Sequence, residues 1–213
     1  MSQLIKLKNK NLILENPNGD PLGIITARDI TLSPRFNSIG SITFTVDREN
    51  CEVYDLITTG RTILLQDVGR YIIENPARID YGNSESMTLI CRSFEYDINR
   101  KTIPYLEGTF KFYSPTTSEE TIMSKIMSYL PNWTIETIDS NLWGIYRTFS
   151  LTDRPLYQFM LEDVSPTFEV VFYFDTINFT ISVKSYENVI KQSDIYLSYD
   201  NLVKSIEITE KTD

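Results

Sequence analysis

Residues 86–100 read SMTLICRSFEYDINR. The stretch opens as a strand and changes phase before it ends: Met87, Leu89 and Cys91 occupy odd positions, whereas Phe94, Tyr96 and Ile98 occupy even ones. Successive side chains point to opposite faces of a strand, so one unbroken strand cannot bury both trios on one face. The reading predicts a β-bulge or strand bend near Arg92 or Ser93, the device by which a small barrel turns a corner. Residues 69–81 (GRYIIENPARIDY) supply the other arm of a long hairpin, closed by Gly82, Asn83 and Ser84.

The chain on the N-terminal side is also strand-like. Ile42, Phe44 and Val46 alternate with Ser41, Thr43, Thr45 and Asp47, the period-two pattern of a half-buried strand. Residues 61–66 (RTILLQ) carry too many consecutive aliphatics to expose either face. Residues 52–59 read as a short helical turn ending at Gly60, and residues 16–23 (NPNGDPLG) are dense in turn formers and predict a hairpin. In an extended opening segment Lys6, Lys8 and Lys10 share one face and Ile5 and Leu7 the other.

The texture changes after Lys101. Thr117 with Glu120 forms a capping-box pattern, and Ile122, Met123, Ile126, Met127 and Leu130 follow at helical spacing until Pro131 stops the run. The methionines lie on the same stripe as the isoleucines and read as core filler. A second helix is predicted from Thr152 or Asp153, with Pro155 in its first turn and Leu156, Phe159, Met160 and Val164 facing inward. Residues 134–138 read as a strand, and residues 168–174 and 178–184 as an aromatic hairpin. From Asp194, the alternation of Ile195, Leu197 and Tyr199, a turn at Asp200 and Asn201, and a strand over 203–209 open a further unit. The fold class is therefore α+β, mainly β: a barrel-like β domain over 1–101, a mixed α/β domain with two helices over 102–190, and the start of a second, incomplete β domain over 191–213.

Composition narrows the chemistry. The 213 residues contain 20 Lys and Arg against 29 Asp and Glu, a formal charge of −9, and no histidine. Imidazole-activated nucleophiles, a histidine base and histidine-ligated zinc are thus ruled out within one copy. Cys51 and Cys91 form no CxxC pair and read as reduced, half-buried thiols. No phosphate-cradling glycine motif occurs. Adjacent helical residues diverge by about 100°, so Glu119 with Glu120, and Glu162 with Asp163, read as solvated or helix-terminal features rather than acid–base couples. No cofactor or metal is expected, and no enzymatic activity. No apolar run approaches membrane-spanning length, and the opening MSQLIKLKNKNLIL lacks the continuous apolar centre of a signal peptide, which predicts a chain assembled in the cytoplasm without membrane binding. Thirteen Tyr, 11 Phe and 2 Trp give an aromatic content of 12%, suited to sheets and to interfaces.

The order of these pieces resembles the N-terminal region of the tail-hub proteins of long-tailed phages and prophages, also called tail-associated or prophage endopeptidase tail proteins. The resemblance is distributed over GRYIIENPARIDY, MTLICRSFEYDINRK, TSEETIMSKIMSYLPNWTI, RTFSLTDRPLYQFMLEDVSPTFEVVFYFDTINFTISV and IYLSYDNLVKSIEI, and covers most of residues 20–210. It implies a structural protein of the virion tail tip or baseplate hub. Three chains, each contributing two barrel-like tube domains, form a ring that continues the tail tube and passes DNA or tape-measure protein. The implied neighbours are the distal-tail and tape-measure proteins. The chain departs from the family pattern in reaching only the entry to a second tube domain and no C-terminal enzymatic extension. A wall without net positive charge suits a DNA channel, because phosphate binding would stall passage.

The row of Lys6, Lys8 and Lys10 has a plain reading as edge-strand protection and a sharper one as a contact with an acidic neighbour such as the distal-tail ring. A competing function is a cell-wall carbohydrate-binding module with Trp133, Trp143 and Tyr146 as stacking platforms; Trp133 is read instead as closing the core beside the capped helix.

Overall fold

The computed structural model describes residues 5–6, 12–33, 40–80, 82, 84–116 and 119–190. It is α+β and mainly β. The N-terminal strands are β1 (Ile5–Lys6), β2 (Leu12–Glu15), β3 (Pro21–Ile25), β4 (Ala27–Ser33), β5 (Ser41–Asp47), β6 (Thr62–Leu65), β7 (Gly69–Ile73), β8 (Ala77–Asp80) and β9 (Glu85–Ser93). They form one sheet in the order β1-β4-β5-β9-β7-β6-β2-β3, with β8 also on β9. The trio on β5 and the trio Met87, Leu89 and Cys91 are fully buried. They share one core with Leu12, Leu14, Ile25, Ile63, Leu65 and Ile73, so a single sheet rolls around its own apolar face.

The rolled sheet is barrel-like without being closed: among the described residues the hydrogen-bonded path stays open from β1 to β3. One end strand, β3, is nonetheless a sequence neighbour of β4, the strand beside the other end. Only Thr26 separates β3, which pairs with β2, from β4, which pairs with β5. The pairs Ile5↔Leu32, Lys6↔Thr31 and Leu12↔Ile25 follow one antiparallel register, residue numbers adding to 37 in each.

The hairpin expected from residues 69–100 is present in two pieces. β9 pairs with β7 through Cys91–Ser93 and with β8 through Glu85–Thr88. Pro76 lies in the gap and has no N–H to give the ladder. The phase change is resolved differently from the expected bulge or bend. β9 ends at Ser93, and residues Phe94–Arg100 wind into a 3-10 helix. The physical reason is that the second trio does not serve the first core. Ile98 is buried in a separate cluster with Ile103, Leu106, Met123 and Phe159, and Phe94 packs against that cluster.

The second cluster lies under strands β10 (Thr102–Lys111), β11 (Thr134–Ile138), β12 (Tyr146–Pro155), β13 (Val170–Asp175) and β14 (Thr180–Ser185). β10 and β12 form an antiparallel ribbon of ten residues each. β14 pairs in parallel with β11 and antiparallel with β13, the aromatic hairpin predicted from sequence. Helix α1 (Ile122–Ser128) buries Ile122, Met123 and Ile126, while Leu130 joins the same cluster. Its capping box is Thr121 with Ser124, one turn later than the Thr117–Glu120 pattern. Glu120 pairs instead with Lys125, and Thr117 lies outside the described residues.

The second helical segment begins after Pro155, because residues 152–155 belong to β12. It runs through α2 (Leu156–Gln158), a π turn (Phe159–Val164) and α3 (Ser165–Phe168). Pro166 cannot donate to the carbonyl four residues before it, and the turn preceding it is the one that widens. Leu156, Phe159, Met160 and Val164 are all fully buried, as the spacing predicted. A last helix, α4 (Tyr186–Ile190), follows β14.

Gly23 on β3 has φ +156°, and a Cβ placed there would lie 2.5 Å from Cγ1 of the buried Val53. Val53 is β-branched and stiff, so Gly23→Ala is expected to destabilise the protein by about 1–3 kcal/mol, read as a shift of the urea unfolding midpoint.

Candidate functional site

The two cores meet at Arg70 on β7. Leu12 and Leu14 face the first core, which turns Glu15 of β2 to the outer side of the sheet beside Arg70. Arg70 Nε donates to Glu15 at 3.0 Å, and the side chains are 16% and 4% exposed. Its Nη1 donates to the carbonyls of Thr176 and Ile177 at 2.9 and 2.7 Å, in the turn between β13 and β14. The backbone N–H of Arg70 donates to Thr176 Oγ1 at 2.8 Å, and the guanidinium lies 5.2 Å from the centre of the Phe179 ring. A Cβ at Gly69 would approach Thr176 Oγ1 to 2.9 Å, so the turn seats where a side chain would otherwise stand. The turn itself is ordered by Asp175, whose carboxylate accepts from the N–H groups of Ile177 and Asn178. These bonds, with Arg70 nearby, hold the Asp175 carboxyl below its ordinary pKa.

Beside this contact lies a cleft of about 640 Å³. Its walls include Glu15, Arg70, Lys101, Asn132, Trp133 and Phe179, so it opens along the seam between the cores. Its chemistry is that of a packed, ion-paired junction. The arginine is occupied on three sides, and among the described residues no group of three or more His, Cys, Asp or Glu side chains is placed to hold a metal.

The adjacent carboxylates are ion-pair partners. Glu162 and Asp163 both bind Arg154, at 2.7 and 2.6 Å, while Glu119 pairs with Lys111 and Glu120 with Lys125. No acid–base couple is built from either pair. Cys51 and Cys91 are free thiols, and both are buried rather than half-buried. Burial pushes the Cys91 thiol up, which keeps it protonated and unreactive.

Trp133 is 8% exposed and meets Phe174 and Phe179 edge to face, at 6.0 and 5.5 Å between ring centres. It closes the core, as the plain reading held, and offers no stacking platform. Trp143 and Tyr146 are exposed at 38% and 52%. Trp143 contacts Tyr113 edge to face, and Tyr146 lies under the Lys111 ammonium. Of the lysine row, only Lys6 is placed, and by its backbone alone, opposite Thr31. Lys8 and Lys10 lie outside the described residues.

The residue that sequence reading passed over is Arg70. Its partners stand 55 and 106–107 positions away, and no local pattern marks it.

No protein-family model and no curated protein matches the chain. Solved structures do. Prophage tail protein gp18 from Listeria monocytogenes superposes with a TM-score of 0.63 at 14% identity, over 83% of this chain and 51% of its own. A tail protein from Neisseria meningitidis gives 0.57 at 11% identity, over 83% and 50%. The 43 kDa tail protein of prophage MuSo2 from Shewanella oneidensis gives 0.54 at 12% identity, over 84% and 56%. The chain therefore has the fold found in these phage and prophage tail proteins and spans about half the length of each. Among the described residues no helix is long and apolar enough to cross a membrane.

Two outcomes check the seam and the aromatics. Arg70→Ala strands the buried Glu15 carboxylate and is expected to cost about 3 kcal/mol of unfolding free energy in urea. Arg70→Lys is expected to recover only part of it, because an ammonium lacks the planar fork. Iodide is expected to quench Trp143 and spare Trp133, so Trp143→Phe removes most of the quenchable tryptophan fluorescence.

Proposed function

We propose that this chain is a non-enzymatic structural component of a phage or prophage tail tip or baseplate hub. In the assembled tail three copies form a ring that extends the tail tube and lets DNA or tape-measure protein pass. The observation that supports this reading is the shared fold with three tail proteins over more than four fifths of the chain. In this role the chain acts through shape: ring closure brings a patch on one copy against a different patch on the next. Residues 1–101 serve as the tube unit, residues 102–190 as the α/β unit beside it, and residues 191–213 as the entry to a second tube unit. The Lys6, Lys8 and Lys10 row docks on an acidic face of the distal-tail ring, and the virion tail is the site of action. The carbohydrate-module reading loses Trp133, which is core, and retains only Trp143 and Tyr146.

Binding of the chain to the purified distal-tail ring, measured against salt concentration, tests the role. The expected result is saturable binding that weakens with salt, and a triple change of Lys6, Lys8 and Lys10 to Glu that lowers affinity and flattens the salt dependence. Unchanged affinity and salt slope would remove the lysine contact, and absence of any ring binding would remove the hub assignment. Saturable quenching of Trp143 by cell-wall polysaccharide would favour the carbohydrate module instead.

A further inference from the structure

Among the described residues no strand of the first sheet pairs with a strand beyond β9, and the two apolar clusters have no residue in common. The chain passes from one core to the other at a single point, where β9 ends at Ser93 and the 3-10 helix begins. Two bodies with separate cores and a polar contact between them move relative to one another by default. What fastens them here is the turn between β13 and β14, seated on Arg70 by three hydrogen bonds. The turn has an unusual backbone. Phe179 has φ +54°, a left-handed conformation that a bulky side chain rarely adopts, and one that persists only where the surroundings hold it. The Phe179 ring lies against the Arg70 guanidinium of the first core, Phe94 of the connection and Trp133 of the second core.

We propose that the seam is a hinge and the β13–β14 turn its clasp. Closed, the turn sits on Arg70 and fixes the width of the cleft; released, the two cores swing about Ser93 and Phe94 and the cleft widens. Two features fit the turn for release. The ion pair of Arg70 with Glu15 lies wholly within the first sheet, so opening gives up hydrogen bonds to the turn and strands no charge. The turn is also ordered from within, by the Asp175 carboxylate accepting from the N–H groups of Ile177 and Asn178 and from Asn178 Nδ2, so it can leave Arg70 and return as one piece. Glu15 and Asn18 stand on one bank of the cleft and Lys101, Asn132 and Trp133 on the other, so its width follows the angle between the cores. The hinge is independent of the tail assignment, because it concerns only how the two cores of one chain hold together.

Double electron–electron resonance on the full chain, with spin labels on Asn18→Cys and Asn132→Cys, reads the width of the cleft. Both positions are exposed, whereas Cys51 and Cys91 are buried and stay unlabelled in the folded protein. With the clasp intact the expected result is one narrow distribution of distances. Gly69→Ala sets a Cβ 2.9 Å from Thr176 Oγ1 and lifts the turn while leaving Arg70 and Glu15 in place. Asp175→Ala removes the acceptor that shapes the turn. Each is expected to broaden the distribution and shift it to longer distances. Label pairs within one core, Asn18→Cys with Thr58→Cys and Asn132→Cys with Ser150→Cys, are expected to keep their distances in both variants. An unmoved distance across the cleft in either variant overturns the hinge, and so does a changed distance within a core, which marks local unfolding instead of a swing. Should one variant fail to fold, the other decides; should neither fold, the turn belongs to a core and the hinge is overturned.

Discussion

A strand can offer only every second residue to a core, and that parity limit governs how this chain is built. β9 is paired along both edges and buries Met87, Leu89 and Cys91 completely. Phe94 and Ile98 serve a different core, and the strand does not continue into it. The chain changes period instead, from two residues to three, over a single 3-10 helix. The separation into two apolar clusters turns on that change, since one contains Cys91 and the other Ile98.

The seam that results is unlike either core. Its fixed point is an arginine whose donors reach a carboxylate on one side and two backbone carbonyls on the other. A pair so little exposed adds less to stability than an apolar contact of equal size would, but removing one partner leaves a charge stranded. Such a pair bears more on which surfaces meet than on how tightly they hold.

Much of this was legible in the residues. The trio Ile42, Phe44 and Val46, the stripe Ile122, Met123 and Ile126, and the hairpin around Asp175 each follow one local period, and each is placed as the period required. The capping box was displaced by one turn, because Thr117 with Glu120 and Thr121 with Ser124 both set a hydroxyl three residues ahead of a polar side chain. Only tertiary packing chooses between them. The β10–β12 ribbon was illegible for a different reason. Ile103 and Leu106 are its buried residues on β10, three apart, and Phe149 alone is buried on β12, so neither strand shows a period of two. Arg70 shows no periodic signal at all, since its role arises from residues far along the chain.

That distance sets an order of events during synthesis. β2 and β7, and with them Glu15 and Arg70, are made first, whereas Thr176 and Ile177 follow 106 and 107 positions behind Arg70. At 5–20 residues per second, the outer side of the N-terminal sheet waits roughly 5–20 s for its cover. A charged pair there, rather than bare aliphatic surface, keeps that temporarily open side wet and discourages premature association of nascent chains.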